Sequence, residues 1–360
     1  MHKQYITTAV AAGLVSLTMT GLADRAAAED SITVVSGGGA YGAAIERALQ
    51  EPFTAETGIA VDTDDYDYSL GPIRAQVMAD AVHWDVAVVE EHAAIRGCDE
   101  GLFVDIDHDE LPAAPDGTPA REDFTEGALP DCGVGLVMWS QIYGYDRRRY
   151  TDEQPTTLAD FFDLERFPGT RGLLNKARGN LEFALMADGV APEDVYDLLE
   201  TPEGVSRAFD VLDGIKADTI FWEAGAQPPL LLADGEVAMT TAWNGRIQVA
   251  IDEEDQPFEI VWDGQLYNLD SLVILEGTPN LDAAMQFIHF SARSENLAQM
   301  AEHIAYGPVR ASAQAMVPDE IAVKLPTHPA NLETALAADD DFWAGYGDEL
   351  EERFSTWMLR

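Results

Sequence analysis

The 360-residue chain is predicted to be an α/β protein of two lobes, each a mixed, mostly parallel sheet flanked by helices. Three observations predict this. Apolar β-rich runs alternate with stretches of helical periodicity through residues 31–145. A loop rich in proline and acids (105–123) interrupts the pattern, and the alternation then starts afresh beyond Pro155. Apolar residues make up 47% of the chain, enough for two sizeable cores.

In chain order, 31–35 is the first strand, running into Ser36-Gly37-Gly38-Gly39. Residues 43–53 are helical and stop at Gly58, 59–61 form a strand, and 73–79 a helix. Residues 84–89 read as a buried strand, followed by a helix through Ile95. Two strands, 133–139 and 142–145, close the first series. In the second, 158–162 is a short helix, 172–174 a strand, and 180–187, 192–199 and 205–215 are helices. Strands follow at 237–240, 258–262 and 272–275, then a helix with an apolar stripe at 281–291. The last ninety residues are mostly helical, punctuated by Pro308, Pro318, Pro326 and Pro329. The expected lobes are 29–139 plus 270–310, and 140–269 plus 311–360.

Charge excludes whole classes of partner. Sixty-five acidic residues face 21 basic ones, a formal charge of −44. No basic stripe offsets this, so nucleic acid and anionic membrane surfaces are both disfavoured. The acids are dispersed rather than gathered in a tail, which fits a whole surface adapted to salt. Residues 1–28 have the three regions of a cleavable secretory signal: Lys3, an apolar run, and Ala26-Ala27-Ala28. No cysteine sits there to take a lipid anchor, and the expected location is the periplasm. In an oxidising compartment, Cys98 and Cys132 are expected to pair. Two cysteines and scattered histidines offer no metal-ligand spacing.

Three features could carry chemistry. Gly37-Gly38-Gly39-Ala40-Tyr41-Gly42 satisfies G-x-G-x-x-G between a strand and a helix, with Asp62 downstream. These are the elements of a dinucleotide fingerprint, although export and the acidic balance both oppose a nucleotide cofactor. Glu90-Glu91-His92 follows the buried strand, where open α/β sheets bind ligands. Aromatic residues gather at the same strand edges: Tyr41, Tyr66, Tyr68, Trp222, Trp243, Tyr267 and Tyr306. Aromatic faces with carboxylates suit an organic ammonium. No nucleophile elbow and no H-E-x-x-H is present, so no enzyme is expected.

Five segments, in order, resemble the extracellular solute-binding proteins of ABC importers, specifically the spermidine/putrescine-binding group. They are Pro52-Phe53 with Glu56-Thr57-Gly58-Ile59, the run from Trp84 to Val89, Ala242-Trp243-Asn244-Gly245, Leu269-Asp270-Ser271, and Ala305-Tyr306-Gly307-Pro308. The resemblance implies the type II periplasmic-binding fold, whose lobes close on a ligand, and no cofactor. By position it places ligand contacts on Ser36, Tyr41, Glu90, Glu91, His92, Trp243, Asp270 and Tyr306. Asp270 takes the place of the amine-pairing aspartate. It implies a monomer that delivers a small amine, such as putrescine or spermidine, to an inner-membrane permease.

One departure matters. The segment Asn175-Lys176-Ala177-Arg178-Gly179 carries Lys176 and Arg178 where polyamine binders carry acids. A cleft with Glu90, Glu91 and Asp270 on one side and Lys176, Arg178 or Arg246 on the other suits a zwitterion such as γ-aminobutyrate or an opine. Polyamine is the first expectation, the zwitterion the alternative, and an exported nucleotide-dependent oxidoreductase the distant one.

Overall fold

A computed structural model of the chain describes residues 31–360, so the expected signal segment lies outside the described residues. The strands are β1 (Ser31–Ser36), β2 (Ala60–Asp65), β3 (Val86–Glu90), β4 (Gly133–Asp146), β5 (Arg171–Leu174), β6 (Thr219–Trp222), β7 (Met239–Trp243), β8 (Phe258–Ile274), β9 (Gly307–Pro308) and β10 (Leu336–Ala337). They form one mixed sheet in the order β2-β1-β3-β8-β4-β7-β5-β6, with β9 added on β4 and β10 on β8. The α/β class holds. The two expected sheets are continuous because β4 and β8 run through both halves.

Local sequence accounts for the pieces. β3 is apolar through Val86–Val89 and fully buried, as befits a strand with neighbours on both sides. β2 is an edge, and Asp62, Asp64 and Asp65 on it are exposed, which discourages pairing with another chain. The helix Gly39–Ile45 continues through a π turn into Glu51–Thr57 and ends at Gly58, whose φ of 78° only glycine adopts freely.

β4 and β8 differ from the expectation of separate short strands. Each is one long strand, and they pair antiparallel from Gly133↔Val273 to Asp146↔Phe258. Polar residues between the expected strands are buried and pair with one another. Ser140 Oγ donates to Gln265 Oε1 at 2.6 Å, and the Ser140 amide donates to Asn244 Oδ1 at 3.0 Å. The break survives only as a register shift between Gln141 and Tyr143.

The same strands serve two separate cores. Val134, Leu136, Val137 and Met138 of β4 pack with Val34, Val86, Leu272 and Phe287. Further along β4, Tyr143 and Tyr145 pack with Leu173, Phe183, Met239 and Phe354. Near the C terminus, Ala313, Val317 and Leu325 still belong to the first core, whereas Leu336, Phe342 and Trp343 belong to the second. The chain therefore reaches the second core later than position 311. The acidic loop is no linker: buried Arg310 holds Asp123 at 2.7 Å, which docks the loop on the first core.

Cys98 and Cys132 are bonded, with Cα atoms 5.6 Å apart, and tie the helix Glu91–Asp99 to the start of β4. The bridge closes a loop of sequence separation 34. Chain entropy then gives about 3–4 kcal/mol of stabilisation. The double variant Cys98→Ser/Cys132→Ser is expected to lose about that much in urea unfolding. An unchanged midpoint would show that the bridge constrains nothing in the unfolded chain.

Candidate functional site

The first core brings the C-terminal ends of β1 and β3 beside β8. Glu90, the last residue of β3, lies directly across the antiparallel ladder from Asp270 of β8. Two carboxylates as cross-strand neighbours repel. Asp270 is only 3% exposed, and Trp139 Nε1 donates to its Oδ1 at 2.7 Å. Burial first, and Glu90 second, push the Asp270 carboxyl up to about 8, while the Trp139 bond works against them.

A cavity of about 250 Å³ opens over this pair. That is just below the roughly 300–1,000 Å³ of most small-molecule sites. Tyr41, Tyr66, Tyr68, Trp139, Trp243 and Tyr306 form its walls, with Asp67, Glu90, Asp270 and Arg246 as charged groups. Tyr41 and Tyr306 meet edge to face at 5.2 Å. Trp243, at the end of β7, meets Trp139 and Trp222 edge to face, both at 6.0 Å.

Arg246 comes from the first turn of the helix Asn244–Asp252, which follows β7. Its Nε is buried without a hydrogen-bond partner, and among the described residues no carboxylate pairs with it within 4 Å. The Tyr41 hydroxyl is buried facing Asp270, where it works with Trp139 to hold the carboxyl down, without a well-formed hydrogen bond of its own. Arg246 as a whole is half-buried, and its guanidinium stands at the cavity wall with one nitrogen already withdrawn from water and no anion beside it.

The glycine run does different work from a nucleotide cradle. A Cβ on Gly37 would stand 2.1 Å from Tyr68 Cε2, and one on Gly38 would stand 2.5 Å from Asp65 Oδ2. One on Gly39 would lie 3.2 Å from Arg246 Nη1. Protein side chains therefore fill the space that a pyrophosphate would need, and one of them is an acid.

Of the residues expected at the ligand, Tyr41, Glu90, Trp243, Asp270 and Tyr306 line the cavity. The others do not. Ser36 is buried beneath it, its Oγ accepting from the Gly38 amide at 3.3 Å. Glu91 accepts from Ser271 Oγ at 3.3 Å, and its carboxyl is pushed up to about 8, chiefly by burial and then by Asp340. Arg178 Nη2 donates to Asp340 Oδ1 at 2.6 Å and to Asn268 Oδ1 at 2.8 Å. His92 Nδ1 lies 3.3 Å from Glu90 and 3.6 Å from Asp340, so it joins the ligand-side Glu90 to the second core's C-terminal helix. Lys176 is exposed.

Sequence reading missed Trp139 and Asp67 entirely and left Tyr66, Tyr68 and Arg246 among general candidates. Trp139 reaches Asp270 across 131 positions of sequence, a contact set only by strand register. Among the acids of the described residues, Asp67, Glu90 and Asp270 line the cavity. The great excess of negative charge thus belongs elsewhere on the protein.

Comparison with known proteins agrees with this geometry. The model of the bacterial extracellular solute-binding protein family matches residues 48–330. The chain is 44% identical over 347 residues to the gamma-aminobutyric acid-binding protein of Pseudomonas aeruginosa, covering 96% of each. It is 23% identical to the spermidine/putrescine-binding periplasmic protein of Escherichia coli, over 76% of this chain and 77% of that one. The solved Atu4243-GABA receptor superposes with a TM-score of 0.79 at 32% identity, over 91% of this chain and 98% of that one. The fold is accordingly the two-lobed type II architecture. By sequence, by fold and by an aromatic, charged cleft at the strand ends, this chain belongs to the family of bacterial extracellular solute-binding proteins.

Proposed function

We propose that the chain captures a small ω-amino acid of the γ-aminobutyrate type in the periplasm and delivers it to an inner-membrane ABC permease. This reverses the order of the two ligand readings drawn from sequence, in which polyamine came first. The observation that carries the reading is Arg246. A half-buried guanidinium on the wall, with its Nε buried and no carboxylate paired to it, repels a diamine, which brings a second ammonium and no acceptor. A carboxylate satisfies it with two parallel hydrogen bonds. Glu90, Asp270 and the aromatic faces take the ammonium. The 44% identity to a gamma-aminobutyric acid-binding protein, against 23% to a spermidine/putrescine-binding one, supports the same order.

Closure follows from where the charges sit. Tyr41 packs in the first core, whereas the helix bearing Arg246 packs through Ile247 beside β7 in the other half. A ligand that holds an acid of the first half and the base of the second favours the closed state over the open one. The permease then reads the closed monomer.

Isothermal titration of the purified protein tests this. γ-Aminobutyrate is expected to bind at least about thirtyfold more tightly than putrescine or spermidine, about 2 kcal/mol for one charge-assisted pair gained in place of a like-charge contact. Tighter binding of either polyamine would return the reading to its first order.

A further inference from the structure

Tyr68 has a φ of 62°, in the left-handed region. Glycine, asparagine and aspartate enter that region readily, and a bulky aromatic side chain does not. Such outliers persist where their surroundings over-determine them, and they gather at ligand clamps. The surroundings here do so. Upstream, the Tyr66 amide donates to Ser36 O at 2.9 Å, and the Tyr66 hydroxyl donates to Val88 O. Downstream, Asp67 Oδ1 accepts from the Ser69 amide at 3.1 Å and from Ser69 Oγ at 2.6 Å. The link between β2 and the next helix is thereby pinned on both sides of Tyr68.

The strained backbone aims one ring. It lies over Gly37, in space that any other residue at 37 would fill, and beside Tyr66 at 5.4 Å between centroids. There it forms cavity wall with Tyr41 and Tyr306. Its hydroxyl sits at Gly37, and burial first, then the nearby Asp270 and Tyr306, raise the phenol while the Gly37 backbone works against them. Packing alone does not explain the arrangement, since glycine or asparagine at 68 would relieve the backbone.

We infer that Tyr68 is a specificity-determining residue: its ring, seated on Gly37 and held by the left-handed turn, closes the cavity around the ligand's ammonium and admits only an unsubstituted one. The inference rests on the ω-amino acid reading and names the substitution state which that site accepts. A bare ammonium can lie against the tyrosine faces and donate an N–H to Asp270, whereas a trimethylated one has no N–H to donate and brings three methyl groups against the Tyr68 ring.

The test uses γ-aminobutyrate and its N-trimethyl analogue with wild type, Tyr68→Gly and Gly37→Ala. Wild type is expected to bind the first and reject the second. Tyr68→Gly is expected to lose about tenfold or more in γ-aminobutyrate affinity, in line with one desolvated cation–π contact, and to narrow the ratio between the two ligands. Its ligand-free Tm should hold or rise, because the backbone relaxes. Gly37→Ala should reproduce the affinity loss with Tyr68 still present, by expelling the ring from its seat. Unchanged affinity and ratio in Tyr68→Gly would overturn the inference. So would an affinity loss accompanied by a Tm drop of several degrees, which marks a purely structural role. If wild type binds putrescine in place of γ-aminobutyrate, the ligand reading fails by itself. Tyr68 is then judged by the same variants against putrescine and its N-methylated form.

Discussion

Asp270→Asn will weaken amine capture on the order of a hundredfold and, at pH 8 and above, stabilise the empty protein. Asparagine keeps the shape and can still accept the Trp139 bond, so the change removes only the charge. In the folded state the Asp270 carboxyl is raised from 3.8 to about 8. A raised folded value means that the favourable contribution is fully present below about 3.8 and is lost as pH rises through about 8. At pH 8 and above, ligand-free wild type therefore carries an ionised, buried carboxylate beside Glu90. Removing it should raise stability by about 1–3 kcal/mol, the cost of one uncompensated buried group. Losing the ammonium's partner should weaken binding by about 3 kcal/mol, on the order of a hundredfold.

The same residue sets a proton signature. The ligand ammonium needs an ionised partner, so below pH 8 its binding expels the Asp270 proton. Titrations at pH 6.5 in two buffers of different ionisation enthalpy should show release of up to about one proton per ligand, vanishing near pH 9. Affinity should rise with pH over the same interval. Release that persists in Asp270→Asn would assign the proton to Glu91, whose carboxyl is also raised to about 8. A Tm that falls in the variant would refute the stability half of the prediction.

What could be read from sequence here was whatever local pattern decides. β3 was legible from four buried apolar residues in a row, and Glu90 followed as its end. Tyr41, Trp243 and Tyr306 sit at strand ends or beside glycine turns, where position alone implies a cleft. What was not legible depends on partners far along the chain. The 175–179 segment looked like a positive lining because nothing nearby reveals Asp340, 162 positions away, which occupies Arg178. β4 and β8 were each expected as two short strands, and the backbone ladder that joins them, with Ser140 bonded to Gln265, is set by pairing 125 positions apart. The glycine run matched a nucleotide fingerprint because the pattern records absent side chains, not the Tyr68, Asp65 and Arg246 that fill their place.

Those distant partners make the three basic residues separable by experiment, and Arg246 carries the larger effect. Arg246→Gln should lower γ-aminobutyrate affinity about a hundredfold, because a charge-assisted, two-bond pair becomes a neutral contact. Binding of putrescine should hold or improve, since a like charge has been taken from its path. Lys176→Ala should leave both ligands unchanged, as the side chain is exposed and away from the cavity lining. Arg178→Ala should weaken both by a similar factor. It touches Asp340, Asn268 and His92 rather than the ligand, so it acts on closure and cannot tell a carboxylate from an amine. Paired titrations of the three variants with the two ligands read this directly. A selective loss of γ-aminobutyrate in Lys176→Ala or Arg178→Ala, with Arg246→Gln unaffected, would move the carboxylate contact to the 175–179 segment. Of the three, Arg246 alone combines a place on the cavity wall with a buried, unpartnered nitrogen and no carboxylate of the described residues paired to it, so its loss is expected to be the one that tells the two ligands apart.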